Sequence, residues 1–202
     1  VDLKPVEYEH PESPWSDPCA GVSGDSDTAR TTCIGPHEAL DILFVVDDSR
    51  SMGDEQDRIS ANFAAVLDHV EEVRPNADYR IGITTTDNSN PWCGATSTPT
   101  AGQLVLSSCR ERLEDFIDTS QDPPVDRRAK GCTDWCPYDG SQLDARMIPT
   151  TTDLDPEPGL RPWIERIDGV TNLPVDVSPS EALACFGPQG ITGCGFESHL
   201  ES

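Results

Sequence analysis

Residues 40–46, LDILFVV, are a nearly continuous apolar run that stops at Asp47-Asp48. No other segment constrains the fold as much. A run this short, bounded by polar turn residues, reads as a central parallel strand covered on both faces. After the polar turn DSRSMGD, the residues Ile59, Phe63, Val66, Leu67, Val70 and Val73 recur at helical spacing, and Pro75 marks the stop. This pattern predicts an amphipathic helix of about 20 residues with one face on the sheet. Tyr79, Ile81 and Ile83 then alternate through YRIGITTTD, giving a second strand that delivers polar residues 84–87 at its end. A right-handed crossover makes the two strands parallel and brings both carboxyl ends to one edge, where open α/β sheets bind ligands.

The remainder is poorer in core. A chain of 202 residues buries one substantial core. With 18 prolines, 15 glycines and only 35% hydrophobic residues, much of the length is expected to be loop. Residues 1–38 lack a sustained apolar period and read as an extended N-terminal arm, with Tyr8 and Trp15 as possible anchors. Residues 39–202 form the α/β domain, interrupted by an insertion at about 88–177 that is dense in breakers: NSNPWCG, QDPPVDRR, DWCPYDG and DLDPEPG. One short helix is expected around residues 110–118, others at 160–167 and 179–186, and a last one after Gly195.

Eight cysteines in so loop-rich a chain imply an oxidising compartment, because in a reducing one they would be reactive thiols. They fall into near-neighbour couples, Cys19 with Cys33, Cys93 with Cys109, Cys132 with Cys136 and Cys185 with Cys194. Each would close a short loop, although spacing leaves the connectivity open. A zinc site at Cys132 and Cys136 is disfavoured, since no second thiolate or histidine pair lies at finger spacing. The net charge of −23 would repel a phosphate backbone and argues against nucleic acid as a partner. No apolar stretch approaches the roughly 20 residues that cross a bilayer. The first residues do not form a signal peptide, and a start at Val fits a processed exported protein or a fragment.

The segment Asp47-Asp48-Ser49-Arg50-Ser51 has the form Asp-x-Ser-x-Ser, between the buried strand and the amphipathic helix. Alternate residues of a tight loop can aim one carboxylate and two hydroxyls at a common point, a donor set suited to a hard cation that keeps several waters. Neutral hydroxyls leave such an ion able to accept an incoming carboxylate. The plainer reading is a helix N-cap, in which Asp or Ser satisfies free amides with no metal. Asp54, Glu55 and Asp57 suit the helix dipole. The acidic loop 153–157 could take Ca²⁺ but lacks EF-hand spacing.

FVVDDSRSM resembles the metal-ion-dependent adhesion site (MIDAS) that opens von Willebrand factor A domains. The resemblance implies a Rossmann-like sheet of parallel central strands with flanking helices, and metal ligands Asp47, Ser49 and Ser51. A threonine from a later loop completes the family's set, and Thr192 in GITGCGFESHL fits it. Asp48 and Asp87 are candidates to stand behind the ligands; Asp87, at the end of the second strand, could bond a water of the metal's shell or serve equally as a strand-end cap. Mg²⁺ is the foremost ion, with Ca²⁺ or Mn²⁺ as alternatives. Arg50 departs from the family's usual Gly and could lower metal affinity or pair with Asp48. The family's further strand and its motif aspartate have no counterpart, so the likeness covers roughly residues 39–87 and 178–202. The sheet is expected to be incomplete at its C-terminal end and finished by deleted sequence or another chain. YRIGITTTD and ACFGPQGITGCGFE are also similar to a cysteine-bearing group of exported bacterial A-domain proteins.

These features imply an extracellular or cell-surface binding module, in a bacterial envelope setting, that engages an acidic residue of a protein partner through its cation. The alternative is a structural subunit of a filament or envelope complex whose core is a scaffold completed by another chain. An enzyme is not expected: the histidines His10, His37, His69 and His199 lack metalloprotease spacing, and no nucleophile elbow or phosphate-cradling loop appears.

Overall fold

The structure, a computed structural model, describes residues 39–88 and 99–195. The described domain is mixed α/β. β1 (Ala39–Val46) and β2 (Asp78–Thr85) pair in parallel, in unbroken register from Ala39↔Asp78 to Val46↔Thr85. Between them run α1 (Gly53–Ser60) and α2 (Phe63–Val73). The expected single helix is thus two. At the break, Asn62 Nδ2 donates to Arg58 O at 2.7 Å and Ser60 Oγ donates to Gly131 O at 2.8 Å, so polar side chains turn to local carbonyls and to the insertion.

The core lies on one face of the sheet. Leu40, Ile42, Phe44 and Val46 share that face with Tyr79, Ile81 and Ile83, and Phe63 and Leu67 of α2 close over it. Phe44 and Phe63 meet edge to face with ring centroids 5.4 Å apart. Because Leu67 is only 1% exposed, truncating it to Ala would cost about 2–5 kcal/mol. The opposite face of β1 is open: Leu43 and Val45 are 55% and 38% exposed. Among the described residues β1 is also an edge of the sheet. The apolar run read as a strand covered on both faces is therefore covered on one.

The insertion contains two small antiparallel pairs, β3 (Ile117–Asp118) with β4 (Val125–Asp126) and β5 (Thr150–Thr152) with β6 (Asp155–Gly159). It also adds β7 (Trp163–Ile167) and β8 (Val170–Thr171) to the main sheet, in the order β1-β2-β7-β8, with β7 antiparallel to β2. The helix expected at 160–167 is thus a strand. Pairing of Ile164 with Ile81 buries it, and the turn Asp168-Gly169, with φ of 50° and 76°, reverses the chain into β8 as a two-residue hairpin does. The helix expected near 110–118 is a 3-10 segment, Cys109–Phe116, kinked at Arg112.

α3 (Pro179–Phe186) forms where its sequence places it. Ser178 and Glu181 cap each other's backbone amides, and proline occupies the first turn. The disulfides do not follow the near-neighbour couples: Cys109 bonds Cys132 within the insertion, and Cys136 bonds Cys185, joining the insertion to this helix. Cys194 is also disulfide-bonded. The couples Cys93–Cys109, Cys132–Cys136 and Cys185–Cys194 are therefore corrected, because the insertion folds back on α3 and brings distant thiols together. The couple Cys19–Cys33, the N-terminal arm and the helix after Gly195 lie outside the described residues. No helix among the described residues is long and apolar enough to cross a membrane.

Candidate functional site

The parallel pairing of β1 and β2 delivers residues 47–51 and 85–87 at the same sheet edge, where Thr86 N donates to Val46 O at 3.1 Å. A third segment joins them. Ser49 and Gly193 form a parallel bridge, Gly193 N donates to Asp48 O at 2.8 Å, and Cys194 N donates to the Asp87 carboxylate at 3.3 Å. Asp47, Ser49, Ser51 and the segment bearing Thr192 are thus brought together, with Asp48 and Asp87 behind them.

The loop is held by its own residues. Asp47 Oδ1 accepts from Ser49 N at 2.9 Å, and Asp47 O accepts from the amide nitrogen of Gln56, itself 1% exposed, at 2.9 Å. The Ser49 and Ser51 hydroxyl oxygens lie 3.2 Å apart. Neither the 3-10 turn Arg50–Met52 nor α1 has a side-chain cap. The serine hydroxyls are therefore not caps, whereas Asp47 does satisfy a free amide, that of Ser49, as the plainer reading expects. Octahedral ligands at 2.0–2.1 Å from Mg²⁺ put neighbouring oxygens roughly 2.9 Å apart, close to the serine separation. One carboxylate with several hydroxyls suits a hard cation better than a soft one.

Asp48 and Asp87 are 8% and 0% exposed. Burial, then the charge of Asp87, lifts the Asp48 carboxyl to about 7, with Asp47 adding to the shift. Asp48 Oδ1 is buried without a hydrogen-bond partner, an arrangement that a proton or a nearby cation relieves. Arg50 does not pair with Asp48. Its side chain is 54% exposed and faces Asp118 at 3.9 Å. Beside Ser51 opens a polar depression of about 410 Å³, lined by Arg50, Asp54, Asp118, Gln121 and Arg127. Arg127 there binds Asp54 and Asp57 at 2.8 and 2.9 Å.

The acidic loop 153–157 is organised differently from a calcium loop. Asp155 is engaged by Arg161 at 2.7 Å, and the same guanidinium takes the carbonyls of Thr150 and Glu157. His69 is exposed on α2 beside Glu72. Among the described residues no group of three or more His, Cys, Asp or Glu could hold a metal.

Sequence reasoning missed Gln56 and Arg112. Gln56 reads as one more polar residue of an exposed turn. Arg112 sits in the charged stretch CRERLED, yet its guanidinium donates to Ser107 Oγ at 2.6 Å and to Pro188 O at 2.7 Å. Burial lowers its pKa to about 10, against the opposing pull of Asp115, Asp144 and Asp48, so it stays charged at neutral pH. No family model, curated protein or solved structure matches this chain.

Proposed function

We propose that this chain is an extracellular or cell-surface binding module, of the von Willebrand factor A type, that engages a protein partner through a divalent cation. The observation that carries the reading is the meeting of the Asp47–Ser51 loop with the Thr192 segment, with two serine hydroxyls 3.2 Å apart and unused as caps. Asp47, Ser49, Ser51 and Thr192 would hold the ion, Mg²⁺ foremost and Ca²⁺ or Mn²⁺ as alternatives. The cation supplies a positive centre that its mostly neutral ligands do not cancel, so an acidic side chain of the partner completes its shell. Asp48 and Asp87 steady the ion from behind through water, and the exposed Arg50 adds positive charge at the rim. The disulfides accord with a secreted or envelope location. Thermal unfolding with and without Mg²⁺, Mn²⁺ or Ca²⁺ tests the reading: a stabilising shift is expected in the wild-type chain and none in Asp47→Ala. An unshifted wild type rejects it.

The open edge of β1 favours a second reading, a structural subunit whose sheet is continued by another chain. Among the described residues this eight-residue edge strand, with exposed Leu43 and Val45, offers unpaired backbone and apolar side chains together. Sedimentation of the wild type against Leu43→Lys/Val45→Lys distinguishes it. Association lost in the variant supports a structural subunit, and a wild-type monomer that binds a partner only with metal supports the first reading.

A further inference from the structure

The segment that carries Thr192 is held partly by itself, through Gln189 Nε2 donating to Phe186 O at 2.7 Å and Gly187 O at 3.3 Å, and partly by the insertion. α3 ends at Phe186, and residues 182–191 are all buried. The insertion grips this stretch from one side at two points. Arg112, at the kink of the 3-10 segment, donates through Nη1 to Ser107 O and Oγ and through Nη2 to Pro188 O at 2.7 Å. One turn later, Asp115 O accepts from Ile191 N at 2.8 Å. Gly190, with φ +90°, packs so closely that a Cβ would lie 2.9 Å from that same oxygen. From the other side, Asp48 O takes Gly193 N. Thr192 therefore stands between two pinned neighbours, and upstream of both is the carbonyl held by Arg112.

We infer that Arg112 is a positioning residue for Thr192: by holding Pro188 O it fixes the course of residues 188–193 and so sets how tightly the loop Asp47–Ser51 and Thr192 together hold a cation. The inference rests on the metal-binding reading. Its chemistry is that of an outer hydrogen bond that orients a ligand rather than touching the ion. A bidentate guanidinium bridges Ser107 and Pro188 at once, which an ammonium on a flexible stem does poorly and a thioether not at all. With Met at 112, a buried carbonyl loses its donor and the segment is free to shift.

Mn²⁺ titration followed by electron paramagnetic resonance tests this on the full chain, in the wild type, Arg112→Met, Arg112→Lys, Thr192→Ala and the double variant Arg112→Met/Thr192→Ala. Arg112→Met is expected to weaken Mn²⁺ binding by roughly 10- to 100-fold, with Arg112→Lys in between. If Arg112 acts through Thr192, the double variant binds no more weakly than Thr192→Ala alone. Circular dichroism checks that the variants fold, and if Arg112→Met does not, Arg112→Lys against wild type carries the test. Wild-type binding with unchanged affinity in the Arg112 variants overturns the inference and leaves the metal site standing. Single-variant losses that multiply in the double variant also overturn it. Failure of the wild type to bind Mn²⁺ removes the metal reading and this one with it.

Discussion

Gly193 lies directly against the carboxylate of Asp48: a Cβ at 193 would sit 2.2 Å from Asp48 Oδ1 and 2.3 Å from its carboxyl carbon. The aspartate is short and buried, so it has nowhere to move. Through this contact the strand-end loop and the Thr192 segment approach closely enough for Gly193 N to reach Asp48 O. Gly193→Ala is therefore expected to destabilise the domain by about 1–3 kcal/mol, the usual cost of overpacking a tight site. Urea unfolding measures that loss, and Mn²⁺ affinity should fall with it. A variant as stable as wild type would show that the two segments are not locked together here.

Asp48 also makes stability depend on pH. Its carboxyl titrates near 7 in the folded chain against an ordinary value of 3.8, chiefly because it is buried and secondly because Asp87 is close. The folded state thus binds a proton that the unfolded state releases. The stabilisation is full below 3.8, declines as pH rises toward 7 and is gone above it, a difference on the order of a few kcal/mol. In chelator, denaturation midpoints at pH 5 and pH 8 should differ more in the wild type than in Asp48→Asn. Added Mg²⁺ should shrink the wild-type difference, because a cation favours the ionised form. Equal pH dependence in wild type and Asp48→Asn would contradict the assignment.

The Cys136–Cys185 disulfide spans 49 residues and ties the insertion to the helix that leads into the Thr192 segment. Chain entropy alone assigns such a bond about 4 kcal/mol. Replacing both cysteines with alanine is expected to lower the melting temperature and to weaken Mn²⁺ binding, whereas changing the exposed Leu154 on the β5–β6 turn should do neither. Differential scanning calorimetry and the Mn²⁺ titration check the two effects separately.

What could be read from the chain beforehand follows a physical boundary between local and distant information. β1, β2 and the Asp47–Ser51 loop announce themselves through apolar pattern and the polar residues just after it, and α3 through Ser178, Pro179 and Glu181, all within a few positions. Thr192 could be placed by its Thr-Gly context. β7 differs from the expected helix although Asp168-Gly169, a hairpin signal, stands beside it, because in WIERI the apolar Trp163, Ile164 and Ile167 are too few over five residues to separate the two periods. The disulfide map was out of reach: Cys136 meets Cys185 only once the insertion has folded back on α3. Arg112 was hidden for the same reason, since an arginine among charged neighbours looks like surface until its carbonyl partner at Pro188 is known.

Whether Asp47, Ser49, Ser51 and the Thr192 segment together make a cation site is tested by isothermal titration of the chelator-treated chain with Mn²⁺. One saturable site per chain is expected, abolished in Asp47→Ala and weakened in Ser49→Ala/Ser51→Ala while the circular dichroism spectrum is kept. Absence of saturable binding in the wild type, or binding that survives Asp47→Ala unchanged, would contradict it.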